Sequence, residues 1–149
     1  MPLIRLQAPG KGYFPCKLAV FRGLSNYPGS LYSTIMSDCI FCRIIKGEIP
    51  SKKVFEDEEL LAFHDVNPQA PVHFLVIPKR HIQNIMELDS ENAALLGRLL
   101  FKAQELAKDL GCGEQGARFV INCKSHGGQT VDHLHCHVLG GRFLAWPPG

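Results

Sequence analysis

The chain has 149 residues, a net charge of +2, 46% hydrophobic and 20% charged residues, the proportions of a single globular domain able to bury a core. No apolar run approaches the about 20 residues of a membrane-spanning helix, so no membrane partner is expected. Charge is uneven: residues 1–37 hold Arg5, Lys11, Lys17 and Arg22 and no acid, leaving 12 bases and 14 acids in 38–149, and a slightly acidic domain argues against nucleic acid as a partner.

Residues 1–37 also contain Pro2, Pro9, Pro15, Pro28 and four glycines, with no sustained periodicity. Two readings stay open for this extension. It is a disordered tail or an upstream start ahead of Met36, or it is a basic, serine-containing organelle transit peptide. Of six cysteines, only Cys39 and Cys42 are close in sequence. Without a convincing secretory signal, this usage predicts reduced thiols in an intracellular, cytoplasmic protein, with organelle targeting as the alternative.

The domain is expected to span 38–149. Asp38 can cap a short helix running through Lys46, with Gly47 closing it. Lys53–Glu56 and Leu60–His64 read as strands around Asp57-Glu58, and Val72–Pro78 as a third, rich in β-branched and aromatic residues. Ser90 is placed to cap a long helix over Glu91–Leu110, where Leu95, Leu96, Leu99, Leu100, Ala103, Leu106, Ala107 and Leu110 recur at three- and four-residue steps. Gly111 ends it. Ala117–Asn122 and Val131–Gly140 complete five strands. With helices not interleaved between strands, the expected class is α+β: a mainly antiparallel sheet with one long and one short helix on one face.

The densest signal is His133-Leu-His135-Cys-His137-Val-Leu139. In a strand, alternate side chains point to opposite faces. The three imidazoles then share one side, and Leu134, Cys136 and Val138 enter a core. Such a row can hold a metal or an anion. It can also supply nucleophile, acid and base near neutral pH. Gly127-Gly128 just upstream lets backbone N–H groups approach a phosphate, and Gln129 and Thr130 add an amide and a hydroxyl.

This pattern resembles the signature of the histidine-triad (HIT) nucleotide-binding family. The closing run Leu139-Gly-Gly-Arg-Phe-Leu-Ala-Trp-Pro-Pro-Gly149 and the segment Phe63–His81 resemble the Hint branch, the purine nucleoside phosphoramidases. The similarity covers roughly Cys39–Gly149.

That resemblance implies a homodimeric hydrolase of purine nucleoside 5′-phosphoramidates or related adenylates. In it, His135 attacks the α-phosphorus to form a nucleotidyl-histidine intermediate, with a backbone carbonyl fixing its tautomer. His137 would bind non-bridging oxygens, His133 would complete the triad, and His73 matches a fourth histidine of that branch. Asp65 would accept from both ribose hydroxyls. Ile40, Phe41, Ile44, Phe63, His64 and Val66 would wall the base pocket. Asn122, Gly128, Gln129 and Thr130 would lie on the phosphate side, Thr130 where the branch commonly has serine. Trp146 would reach towards the partner's site.

Cys39-x-x-Cys42 suits either zinc or thiol chemistry, but no βαβ unit accompanies it. In several HIT relatives the matching positions, here Cys39, Cys42, His81 and His133, bind structural zinc. Two free thiols are the alternative. Two further functions stay open: a purine-nucleotide-binding regulatory protein with incidental hydrolysis, and a metal protein using the histidine row as ligands. The last lacks the carboxylate such motifs usually carry, since Asp132 precedes the row.

Overall fold

The computed structural model describes residues 39–148; the N-terminal extension and Asp38 lie outside them. Helix α1 (Ile40–Ile45) is followed by β1 (Lys53–Glu56), β2 (Leu60–His64), β3 (Val72–Pro78), a 3-10 turn at Ile85–Glu87, helix α2 (Ala93–Asp109), β4 (Ala117–Val120) and β5 (Cys136–Gly140). The five strands form one sheet in the order β1-β2-β3-β5-β4, with every neighbouring pair antiparallel. No described helix is long and apolar enough to cross a membrane.

The expected α+β architecture is therefore present, with one correction. The helices lie on opposite faces, not one. Leu60, Ala62, Phe74, Val76, Leu134, Cys136 and Val138 pack with Leu95, Leu99, Ala103, Leu106 and Ala107 of α2. The other parity of the same strands, Leu61, Phe63, Leu75 and Ile77, packs with Phe41 and Ile44 of α1. Period-two alternation cannot distinguish these cases where both faces are covered, because β2 and β3 then read as continuous apolar runs.

Element ends also differ from expectation. Helix α1 has Cys39 at its N-cap, without a side-chain capping bond; Gly47, at φ +78°, closes it as expected. Helix α2 begins at Ala93 rather than Glu91, because Asp89, not Ser90, accepts from the Asn92 backbone N–H (2.9 Å) and side-chain amide (2.6 Å) in a preceding turn. At its other end the Gly111 and Cys112 N–H groups donate to Lys108 and Ala107 carbonyls, both at 3.0 Å, a Schellman closure in which Gly111 adopts φ +79°. The 3-10 turn, absent from the sequence reading, is capped by Asn84, whose side chain accepts from Met86 N–H at 2.9 Å.

Strand β4 stops at Val120, short of Asn122, and β5 starts at Cys136 rather than Val131. The chain from Val131 to His135 is held by non-ladder bonds instead, including Leu134 N–H to Ile82 O at 2.6 Å. His133 and His135 thus precede the strand, yet the alternation continues through them.

Candidate active site and metal-ligand cluster

The sheet face under α1 carries a cavity of about 270 Å³ lined by Ile40, Phe41, Ile44, Phe63, His64, Asp65, Val66, Thr130, His135 and His137, all expected site residues. Val66 stands at its mouth, 97% exposed. Ile49, Pro50, Ser51, Leu75 and Val131 also line it and were not foreseen. Leu75 was legible, since it shares strand parity with Phe63 across the β2–β3 register. The Ile49–Ser51 wall follows from how the chain leaves α1, which no local pattern encodes. The Ser51 hydroxyl oxygen is buried with no hydrogen-bond partner.

His135 is almost fully buried, and its Nδ1 lies 2.6 Å from the carbonyl oxygen of His133. A carbonyl only accepts, so Nδ1 carries the proton and Nε2 keeps its lone pair. The Phe41 ring meets the imidazole edge-on, centroids 5.3 Å apart. Burial depresses the ring's basicity.

His73 and His137 form a relay of defined polarity. Leu75 opposes His137 across β3–β5, so His73 is its diagonal neighbour on the same face. The Gln69 N–H donates to His73 Nδ1 at 3.1 Å, which puts the His73 proton on Nε2. That nitrogen donates to His137 Nδ1 at 3.0 Å, leaving His137 with its proton on Nε2. Asp65 Oδ2 sits 3.4 Å from His73 Nε2 and 3.9 Å from His137 Nδ1, while Oδ1 accepts from Asn67 N–H at 2.8 Å. Burial, reinforced by the neighbouring His135 and His73, pushes His137 down to about 4, and burial likewise lowers His73.

His133 turns away from this relay, towards Cys39, Cys42 and His81. Its Nε2 donates to Pro78 O at 2.8 Å, so Nδ1 presents a lone pair. That Nδ1 lies 3.5 Å from Cys39 Sγ, 3.7 Å from Cys42 Sγ and 3.2 Å from His81 Nδ1, and Cys42 Sγ lies 3.3 Å from His81 Nδ1. Metal–ligand bonds of about 2.0–2.3 Å put the donors of a tetrahedral site about 3.3–3.8 Å apart. The four separations above, 3.2–3.7 Å, are close to those edges, and the Pro78 contact is of the kind that orients a ligating histidine from outside. All four residues could hold a metal ion. Without a cation, burial and the adjacent Cys39 push Cys42 up to about 11, and burial pushes His133 down to about 4.

Asp65, His73 and His137 also group closely enough to be considered as ligands, but the Gln69 N–H forces a proton onto His73 Nε2, between the donors. That group is a hydrogen-bond relay. Cys136, pushed up to about 12 by burial, is core packing.

The glycine loop is shaped by contact and conformation. A Cβ on Gly127 would lie 2.4 Å from the Cys123 carbonyl oxygen, and Gly128 adopts φ +73°. Gln129 secures the loop: its amide nitrogen donates to Gln83 O (2.7 Å) and Val131 O (2.9 Å), and its amide oxygen accepts from Lys124 N–H at 2.9 Å. Its side chain is thereby engaged with backbone rather than left free for a ligand. Asn122, Gly128, Gln129 and Trp146 are not among the cavity-lining residues. Trp146 is 83% exposed, in a tail whose Leu144 and Ala145 carbonyls accept from Arg118.

Comparison with known proteins agrees with this arrangement. The family model described as HIT domain matches residues 46–144. An uncharacterized HIT-like protein of Synechocystis sp. is 56% identical over 112 residues, 75% of this chain and 97% of its own. A solved HIT family hydrolase from Legionella pneumophila is 50% identical with TM-score 0.74, covering 75% of this chain and 100% of that one. A histidine triad protein from Clostridium difficile is 44% identical with TM-score 0.70, covering 72% and 94%. The family model, the sequence identity to these relatives and the shared fold together make this chain a member of the HIT domain family.

Proposed function

We propose that the protein hydrolyses purine nucleoside 5′-phosphoramidates or related adenylates through a nucleotidyl-histidine intermediate, as in the Hint branch. The hydrolase description of the Legionella relative supports the reaction class. The observation that carries the reading is the His135–His133 contact, 2.6 Å from Nδ1 to the carbonyl oxygen. A ring so held is a nucleophile with its lone pair already placed on Nε2.

The base lies between Ile40, Phe41, Ile44 and Phe63, and Asp65 accepts from the ribose hydroxyls. Nε2 of His135 attacks the α-phosphorus. The P–N bond of the substrate breaks, its electron pair leaves on nitrogen, and that nitrogen takes up a proton from solvent, which the later attack by water returns to solvent. The His137 Nε2–H, oriented by the relay through His73, donates to the non-bridging oxygens as they gain charge. Water then attacks phosphorus and loses a proton, the bond to His135 breaks, and the neutral ring and the nucleoside monophosphate are restored.

Cys39, Cys42, His81 and His133 would hold one zinc ion, which would supply a structural cross-link between α1 and the segment before β5 without touching the reacting atoms. The functional unit is a homodimer: β4 is a sheet edge, and Phe119, Phe143 and Trp146 leave apolar surface exposed of the kind that marks association sites. Turnover of adenosine 5′-phosphoramidate compared with dinucleoside polyphosphates tests the reading. Preference for the former is expected; no hydrolysis of either by zinc-loaded protein overturns it.

A further inference from the structure

The residue that joins the two halves of this site is His133. Its ring belongs to the Cys39–Cys42–His81 cluster, and its carbonyl oxygen accepts from His135 Nδ1–H, with 2.6 Å between nitrogen and oxygen. The two functions are separated only by the bonds of one residue. The Pro78 carbonyl holds the ring at Nε2, 2.8 Å away. The ring is fully buried, but its Nδ1 otherwise meets only thiol and imidazole contacts at 3.2–3.7 Å; a cation on Nδ1 would replace these weak contacts with a second firm anchor. Phe41 adds a second connection. It lies between Cys39 and Cys42 in sequence, and its ring meets both His133 (centroids 5.8 Å apart) and His135 (5.3 Å) edge-on.

We propose that His133 is a positioning residue: metal held by its ring and by Cys39, Cys42 and His81 fixes the peptide carbonyl that orients His135, so that metal occupancy sets the competence of the nucleophile. The inference rests on the hydrolytic reading for its activity readout, but its central observable, the state of the His135 ring, does not depend on any substrate. A metal that only stabilised the fold would change melting temperature and leave that ring alone.

The test removes zinc with a chelator and restores it with Zn²⁺ alone, using the full chain labelled with ¹⁵N-histidine. Metal-free protein that remains folded by circular dichroism is expected to lose the proton-bearing Nδ1 signal of His135. Its kcat should fall about tenfold, and its affinity for AMP about threefold or less, because a misplaced reacting group costs rate more than binding. Zn²⁺ should restore both signal and rate. An unchanged Nδ1 signal with kcat within about twofold of the loaded protein would overturn the proposal, as would failure to bind Zn²⁺ at all. Should the metal-free chain not fold, Cys39→His and Cys39→Asp keep a fourth ligand of different reach. Both are expected to bind Zn²⁺, melt cooperatively and shift the His135 signal with reduced kcat; wild-type signal and kcat in both would overturn the proposal. Absence of turnover in loaded protein that nevertheless shows the metal-dependent signal would count against the hydrolytic reading alone.

Discussion

His73 donates Nε2–H to Nδ1 of His137 across 3.0 Å, and the direction of that bond is dictated by a third group: the backbone N–H of Gln69, which can only donate, at 3.1 Å from His73 Nδ1. One fixed amide thus sets the protonation pattern of two imidazoles and delivers an N–H at the far side of His137. The Asp65 carboxylate, with Oδ2 3.4 Å from His73 Nε2, adds a negative charge that favours keeping the proton there.

If His135 is the nucleophile, His135→Ala should lower kcat by about a hundredfold or more, on the scale of a lost acid–base or covalent group. AMP affinity should change little, because Phe41, Phe63 and Asp65 still line the cavity. Steady-state kinetics paired with calorimetric titration checks this; turnover within a few-fold of wild type would remove the assignment.

Acid should disable the relay only well below the ordinary histidine range. A proton on His137 Nδ1 sets two N–H groups against each other, and burial holds that event down to about 4. Activity attributable to His137 should therefore persist below the ordinary histidine value of 6.5 and fall as pH approaches 4. Stability has the same sign: unfolded rings take up protons below about 6.5 while the buried ring does not, so stability falls as pH drops from 6.5 towards 4. The slope of melting temperature against pH over this window should become shallower in His137→Asn, the buried His73, His133 and His135 supplying the remainder.

Zinc should be present at close to one per chain after purification without chelator. Its removal should lower the melting temperature by several degrees, since binding free energy of a site formed only in the fold is folding free energy. Metal analysis with thermal denaturation reads this. Metal-free protein of unchanged stability, with Cys39 and Cys42 both titrating freely, would contradict it.

Gln129→Ala deletes three hydrogen bonds from the loop. With part of the loop exposed, a cost of about 1–3 kcal/mol is expected. Because the side chain holds backbone in place, kcat should fall more than the affinity for adenosine falls; equal losses in a nucleoside and a nucleotide would place Gln129 elsewhere in the mechanism.

Deleting residues 143–149 should change selectivity among leaving groups more than affinity for AMP, and light scattering at micromolar concentration should report a dimer. Trp146, so exposed in one chain, is the side chain expected to become covered on association. A monomer, or a truncation with unchanged selectivity, would refute the dimeric site.

Much of this protein is written locally. The row His133, His135, His137 alternates with Leu134, Cys136 and Val138, which do enter the core, and period-two alternation needs no knowledge of the partner strand. Strands β1, β2 and β3 were legible to the residue, as was the closure of α2 at Gly111. The helix start was not, because Asp89, Ser90 and Asn92 are all good caps; Asn92 is the N-cap, and Asp89 bonds it in the turn before the helix.

What only the tertiary structure decided is where side chains far apart in sequence meet. Spacing alone cannot say that His133 faces Cys39 across 3.5 Å while His135 and His137 face the cavity. Nor can it say that Gln69, Pro78 and the His133 carbonyl choose the tautomers, because those partners are backbone groups that every sequence possesses. The same limit explains the placement of α1: with both faces of β2 and β3 apolar, residue type does not encode which helix covers which face. The residues capable of the chemistry are local information, whereas the protons and lone pairs that make them reactive are assigned by contacts that form only when the sheet closes under both helices.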